Sequence, residues 1–74
     1  MPKLSPISAK KFIKIVKKLG FVKIRQRGSH VRLVHADGRK ITIPVHSGEN
    51  VRKGLLRKII KDLQISVDEF NKLR

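Results

Sequence analysis

Three histidines, His30, His35 and His46, are the side chains in this 74-residue sequence that ordinarily exchange a proton near neutral pH. His30 follows a Gly28-Ser29 corner and has Arg25, Arg27 and Arg32 close by in the chain. An imidazole among guanidinium groups suits work on a phosphodiester: the ring accepts a proton and the cations hold and neutralise the phosphate. RNA brings its own nucleophile, because the 2′-hydroxyl can attack the adjacent phosphorus once a base takes its proton. The plainer reading of His30 is a polar turn residue at the start of a strand. His46, after Ile43-Pro44-Val45, has the same plain reading at a strand's end. Other chemistries find little support. There are no cysteines, which excludes a disulfide framework, a thiolate nucleophile and a thiolate metal site. Three spread histidines with few acids do not make a coordination shell, so no metal is expected. The glycine-rich phosphate loops of nucleotide-binding proteins are absent, since Gly48-Glu49-Asn50 is too short to serve. No serine triad can be assembled.

The charge points the same way. Nineteen Lys and Arg stand against five Asp and Glu, a formal net charge of +14. A small body so unbalanced repels itself and attracts polyanions, nucleic acid first among them. An anionic membrane surface or an acidic protein would also satisfy it. A chain of this length predicts one domain, residues 1–74, near the lower limit at which a single core sustains itself. No apolar run approaches a membrane span and no leader-like segment opens the chain, so a cytoplasmic protein is expected. The three aromatic residues, Phe12, Phe21 and Phe70, each fall at an expected core position. Gripping bases by aromatic stacking is therefore not expected.

The elements that must position these groups follow from periodicity. Ser8 caps a predicted helix over residues 9–19, where Phe12, Val16 and Leu19 recur at helical spacing, flanked by Ile13 and Ile15. Lys10, Lys11, Lys14, Lys17 and Lys18 cover the rest. Gly20 suits the left-handed residue that ends a helix, and Phe21 can pack back on the last turn. The period then falls to two. Val22 and Ile24, Val31 and Leu33, and Ile41, Ile43 and Val45 predict three antiparallel strands, with turns at Gly28-Ser29 and Asp37-Gly38. Pro44 marks the third strand as an edge or its end. A loop is expected at 47–51. Leu55, Leu56, Ile59, Ile60 and Leu63 then predict a second helix. Ser66-Val67-Asp68-Glu69 is a capping box opening a short third helix, with Ile65 and Phe70 placed as a hydrophobic staple.

Residues two apart on a strand share a face. The seven apolar strand residues must turn toward the helices, which leaves Lys23, Arg25, Arg27, His30, Arg32, Lys40, Thr42 and His46 on the opposite, exposed face. His35 has the parity of Leu33 but sits at the hairpin end. The expected architecture is α+β, a three-stranded antiparallel sheet with helices on one face and a short C-terminal helix.

These residues, taken in order, resemble a known family. Leu19-Gly20-Phe21 closes a lysine-rich helix; Arg25-Gln26-Arg27-Gly28-Ser29-His30 follows, then Ile43-Pro44-Val45-His46, Gly54-Leu55-Leu56-Arg57-Lys58-Ile59-Ile60, Ile65-Ser66 and Glu69-Phe70. The set is similar to the HicA toxins of type II HicA/HicB toxin–antitoxin pairs. At one position the chain differs: where such toxins often carry Thr or Ser after the glycine, it has Leu55. The resemblance implies a double-stranded-RNA-binding-domain-like α-β-β-β-α fold. It also implies cleavage of mRNA without a metal or small-molecule cofactor, dependent on His30, and a HicB-like antitoxin that covers the active site. The RNA-binding residues expected with it are Lys23, Arg25, Arg27, Ser29, Arg32, Lys40 and His46, and no membrane role is expected. Two rival readings fit the charge: a non-catalytic double-stranded-RNA-binding module and a ribosome-associated basic protein.

Overall fold

The computed structural model describes residues 3–45 and 50–74. The elements run β1 (Ile7–Ser8), α1 (Ala9–Lys18), β2 (Val22–Arg27), β3 (His30–Val34), β4 (Lys40–Pro44), β5 (Asn50–Val51), α2 (Lys53–Leu63) and α3 (Val67–Leu73). β2, β3 and β4 form an antiparallel sheet in that order, and the short strands β1 and β5 pair with each other. The expected α-β-β-β-α order and the short final helix are therefore present. The loop expected at 47–51 is in part a strand, since Asn50 and Val51 pair with Ser8 and Ile7.

Helix α1 begins where Ser8 accepts a hydrogen bond from the Lys11 amide at 3.2 Å. It ends in the double reverse bonding typical of a left-handed glycine. Gly20, at φ +103°, donates to the Lys17 carbonyl, and the Phe21 amide donates to Val16. That turn drives Phe21 into the core. Ala9, Phe12, Ile15 and Val16 are buried while the lysines stay in water, and Leu19 is only half-buried. α3 starts at the predicted capping box: Ser66 and Glu69 each bond the other's backbone amide. Its Phe70 meets Phe12 edge-on, with ring centroids 5.4 Å apart. Such a pair contributes about 0.5–1.5 kcal/mol beyond the area it buries. α3 also ties down the start of the chain, because Asn71 donates to the Lys3 carbonyl and Arg74 to those of Ser5 and Pro6.

The β3–β4 hairpin fastens both long helices. Its turn closes through Gly38, at φ +100°, whose amide donates to the His35 carbonyl at 2.9 Å. His35 accepts the Asp37 amide at Nδ1, so Nε2 carries the proton and donates to the Leu19 carbonyl, 3.2 Å away at the end of α1. The ring also packs edge-on against Phe21. Arg39 reaches the Leu63 carbonyl at the end of α2 while its Nε bonds Asp37 at 2.8 Å. Two donors on one loop thus satisfy the open carbonyl ends of two helices.

The core holds Val31, Leu33, Ile41 and Ile43 from the sheet, with Val45 packed beside it. Val22 and Ile24, expected with them, lie outside: they are 62% and 56% exposed. Two causes combine. β2 is an edge strand, and all six of its residues are exposed. The pairing also shifts by one residue between Lys23 and Arg25, a bulge at Ile24. Upstream of that bulge, Val22 faces outward and Lys23 faces the helix side.

Candidate active site and nucleic-acid interface

Register decides which side chains share the outer face. Val31 and Leu33 point to the core, so His30 and Arg32 point away, joined by their opposite numbers Pro44 and Thr42 on β4. On β2, Arg27 lies opposite His30 and Arg25 opposite Arg32. Lys40 lies opposite Val34 on the same face. Of the expected site, His30, Arg25, Arg27, Arg32 and Lys40 are therefore brought together and exposed. Ser29 is half-buried in the turn, where its carbonyl accepts the Val45 amide. His46 lies outside the described residues.

Lys23 is the exception. The bulge puts it on the other face, where Nζ donates to Gln26 Oε1 at 2.9 Å and Gln26 in turn donates to the Gly28 carbonyl at 3.3 Å. Its visible work is to brace the turn before His30. That turn is built from Gly28 at φ +58° followed by a residue of negative φ, the two-residue hairpin that glycine in first place allows. It sets His30 as the first residue of β3, beside the turn.

Two features of this face concern charge and access. Among the described residues, neither His30 nor any of Arg25, Arg27, Arg32 and Lys40 makes an ion pair; Asp37 pairs with Arg39 at the other end of β3. Arg25 and Arg32 stand directly opposite each other, and like charges so placed cost roughly 0.2–1 kcal/mol. A polyanion relieves that cost. Beside them, α2 rises past β4 and makes a wall. A cleft of about 480 Å³ opens between His30, Thr42 and Pro44 on the sheet and Asn50, Arg52 and Leu55 on the wall. It continues into a smaller one of about 220 Å³, bounded by Arg32, Lys40, Lys58 and Asp62. Thr42 and Leu55 line both.

Arg52, Leu55 and Lys58 thus belong to the site, and strand parity gave no sign of them. Leu55 was expected inside the apolar stripe of α2, yet it is 40% exposed and overlooks the cleft. The available signal was the width of that stripe, too broad for one helix face to bury against a sheet. A larger depression, about 590 Å³, lies elsewhere between α1 and the chain's end, lined by Lys11, Lys14, Lys18 and Arg74. No histidine, aspartate or glutamate side chain lines it. Among the described residues no three His, Cys, Asp or Glu side chains converge to hold a metal. Nor is any helix there long and apolar enough to cross a membrane.

No curated protein matches the chain at a significant level. A sequence model for the HicA toxin of bacterial toxin–antitoxin systems does match, over residues 9–65, a span from the first residue of α1 to the loop before α3. With three quarters of its length covered by that match, the chain belongs to the HicA toxin family.

Proposed function

We propose that this toxin is a metal-independent endoribonuclease that cuts mRNA with His30 as general base and is held inactive by a HicB-like antitoxin in the cytoplasm. His30 takes the proton of a ribose 2′-hydroxyl. The oxygen forms a bond to the adjacent phosphorus, and the bond from phosphorus to the 5′-oxygen breaks. The leaving oxygen takes a proton from solvent or from His46. The products are a 2′,3′-cyclic phosphate and a 5′-hydroxyl. Arg25, Arg27, Arg32 and Lys40 neutralise the phosphates and the charge that builds on the phosphorus oxygens. Arg52 and Lys58 bind the strand from the other wall of the cleft. In-line attack needs a ribose and phosphate free to rotate, so the strand enters single-stranded.

One observation carries this reading: the exposed imidazole of His30 lines a cleft that continues past Thr42 into one bounded by Arg32 and Lys40, neither of which is in an ion pair among the described residues. The test is incubation of the purified protein with end-labelled single-stranded RNA in the presence of a chelator. Cleavage leaving cyclic phosphate ends, and lost in His30→Ala, is expected. Binding without cleavage would assign the protein to the non-catalytic RNA-binding class.

A further inference from the structure

β2 carries a surface that the RNA reading leaves unused. Val22 and Ile24 are the most exposed large apolar side chains among the described residues. The strand is outermost in its sheet and exposed along all six residues, so its outer edge offers unpaired amides and carbonyls over about 20 Å. Aliphatic tips offer a phosphate no donor and a base no ring to stack on, so RNA does not account for them.

We propose that this edge is the docking line for an extended, acidic segment of the antitoxin. The segment adds to β2 as a further strand, rests apolar side chains on Val22 and Ile24, and sets carboxylates against Arg25 and Arg27. That the partner is an antitoxin rests on the family; that it is acidic follows from charge complementarity with a chain of net charge +14. A second copy is the wrong occupant. Pairing β2 with itself antiparallel sets the cations Lys23, Arg25 and Arg27 of each chain against those of the other. The acidic strand meets no such repulsion. It lies two strand spacings, about 10 Å, from β3. It therefore removes Arg25 and Arg27, the latter directly opposite His30, from the reach of RNA, a route to inhibition through substrate binding. This rests on the ribonuclease reading only in its consequence, since the docking can be measured without any cleavage.

The experiment uses the purified cognate antitoxin and full-length toxin, wild type and the double variant Val22→Ser/Ile24→Ser. Both positions are exposed, and matching circular dichroism spectra establish that the variant folds. Calorimetry is expected to show at least a tenfold loss of antitoxin affinity, with RNA binding and cleavage by free toxin within twofold of wild type. Amide hydrogen exchange on the wild-type complex, which needs no variant, is expected to show β2 protected. Affinity within threefold of wild type, or β2 amides exchanging as fast in the complex as alone, overturns the proposal. So does a dimer of the free toxin that the variant abolishes, which assigns the edge to a second copy. A parallel fall in RNA affinity overturns it in favour of RNA.

Discussion

The two ends of β3 carry the two described histidines under opposite conditions. His35, at the hairpin end, has both ring nitrogens engaged, Phe21 in an edge-on contact and a helix terminus as its partner. His30, at the other end, is exposed and makes no side-chain hydrogen bond among the described residues. Residue type alone does not separate a catalytic histidine from a structural one. What separates them is whether the fold has already used the ring's donor and acceptor. A ring so used is unavailable to substrate, and a ring left open contributes little to stability. The difference also teaches where a domain of this size concentrates its restraints: at the end where hairpin and helices meet, leaving the other end free to bind.

That contrast can be broken by experiment, beginning with the largest effect. His30→Ala is expected to cut the cleavage rate by about 10²–10⁴-fold, the usual contribution of a positioned base, with melting temperature unchanged. His35→Ala should do the reverse. Losing the bond to Leu19 and the packing on Phe21 costs about 1–3 kcal/mol, read by urea unfolding, while cleavage per folded molecule stays at the wild-type level. A rate loss in folded His35→Ala would erase the distinction.

The glycines sharpen it. Gly20 and Gly28 both have positive φ, so alanine is strained at either by about 1–2 kcal/mol. At Gly20 the new Cβ would also lie 2.8 Å from His35 Nε2, whereas at Gly28 nothing lies within 4 Å. Gly20→Ala is therefore expected to destabilise more than Gly28→Ala, and in a His35→Ala background the gap between them should narrow. Arg32→Gln is expected to trade in the other direction. Removing one of two opposed cations raises stability by roughly 0.2–1 kcal/mol. It also weakens RNA binding and lowers the slope of log affinity against log salt by about 0.7. An unchanged slope would remove Arg32 from the phosphate contacts.

The smallest effect is in acid. Asp37 is held below the usual carboxylate range, first by the hydrogen bond from the Arg39 amide; desolvation opposes this, and the Arg39 side chain reinforces it. A depressed carboxylate lends stability that is fully present above its unfolded value, near pH 4, and is lost as pH falls through the folded one. Thermal unfolding of Asp37→Asn should lack that part of the acid dependence; an identical acid limb would show the hairpin end to be indifferent to it.

Much of this was legible in advance because it is local. Ser8, Gly20 and the Ser66–Glu69 box sit at helix ends and act within a turn, so spacing alone exposes them. The outward direction of His30 followed from Val31 and Leu33, two core residues immediately beyond it. The failures are all non-local. Val22 and Ile24 look like core residues by alternation, but alternation assumes an unbroken strand with a helix above it, and β2 has neither. The pairing of β1 with β5 joins residues some forty apart through two-residue strands, too short to leave a periodic trace. Leu55 and Arg52 enter the cleft because α2 runs beside β4, a packing choice no single segment encodes.

The irregularity at Ile24 also separates two registers that an uninterrupted strand would lock together. Residues before it take their orientation from the exit of α1; those after it take theirs from the Gly28 corner. Arg25 and Arg27, the part of the cationic rim that this strand supplies, are therefore aimed by the corner beside His30 and not by the end of the first helix.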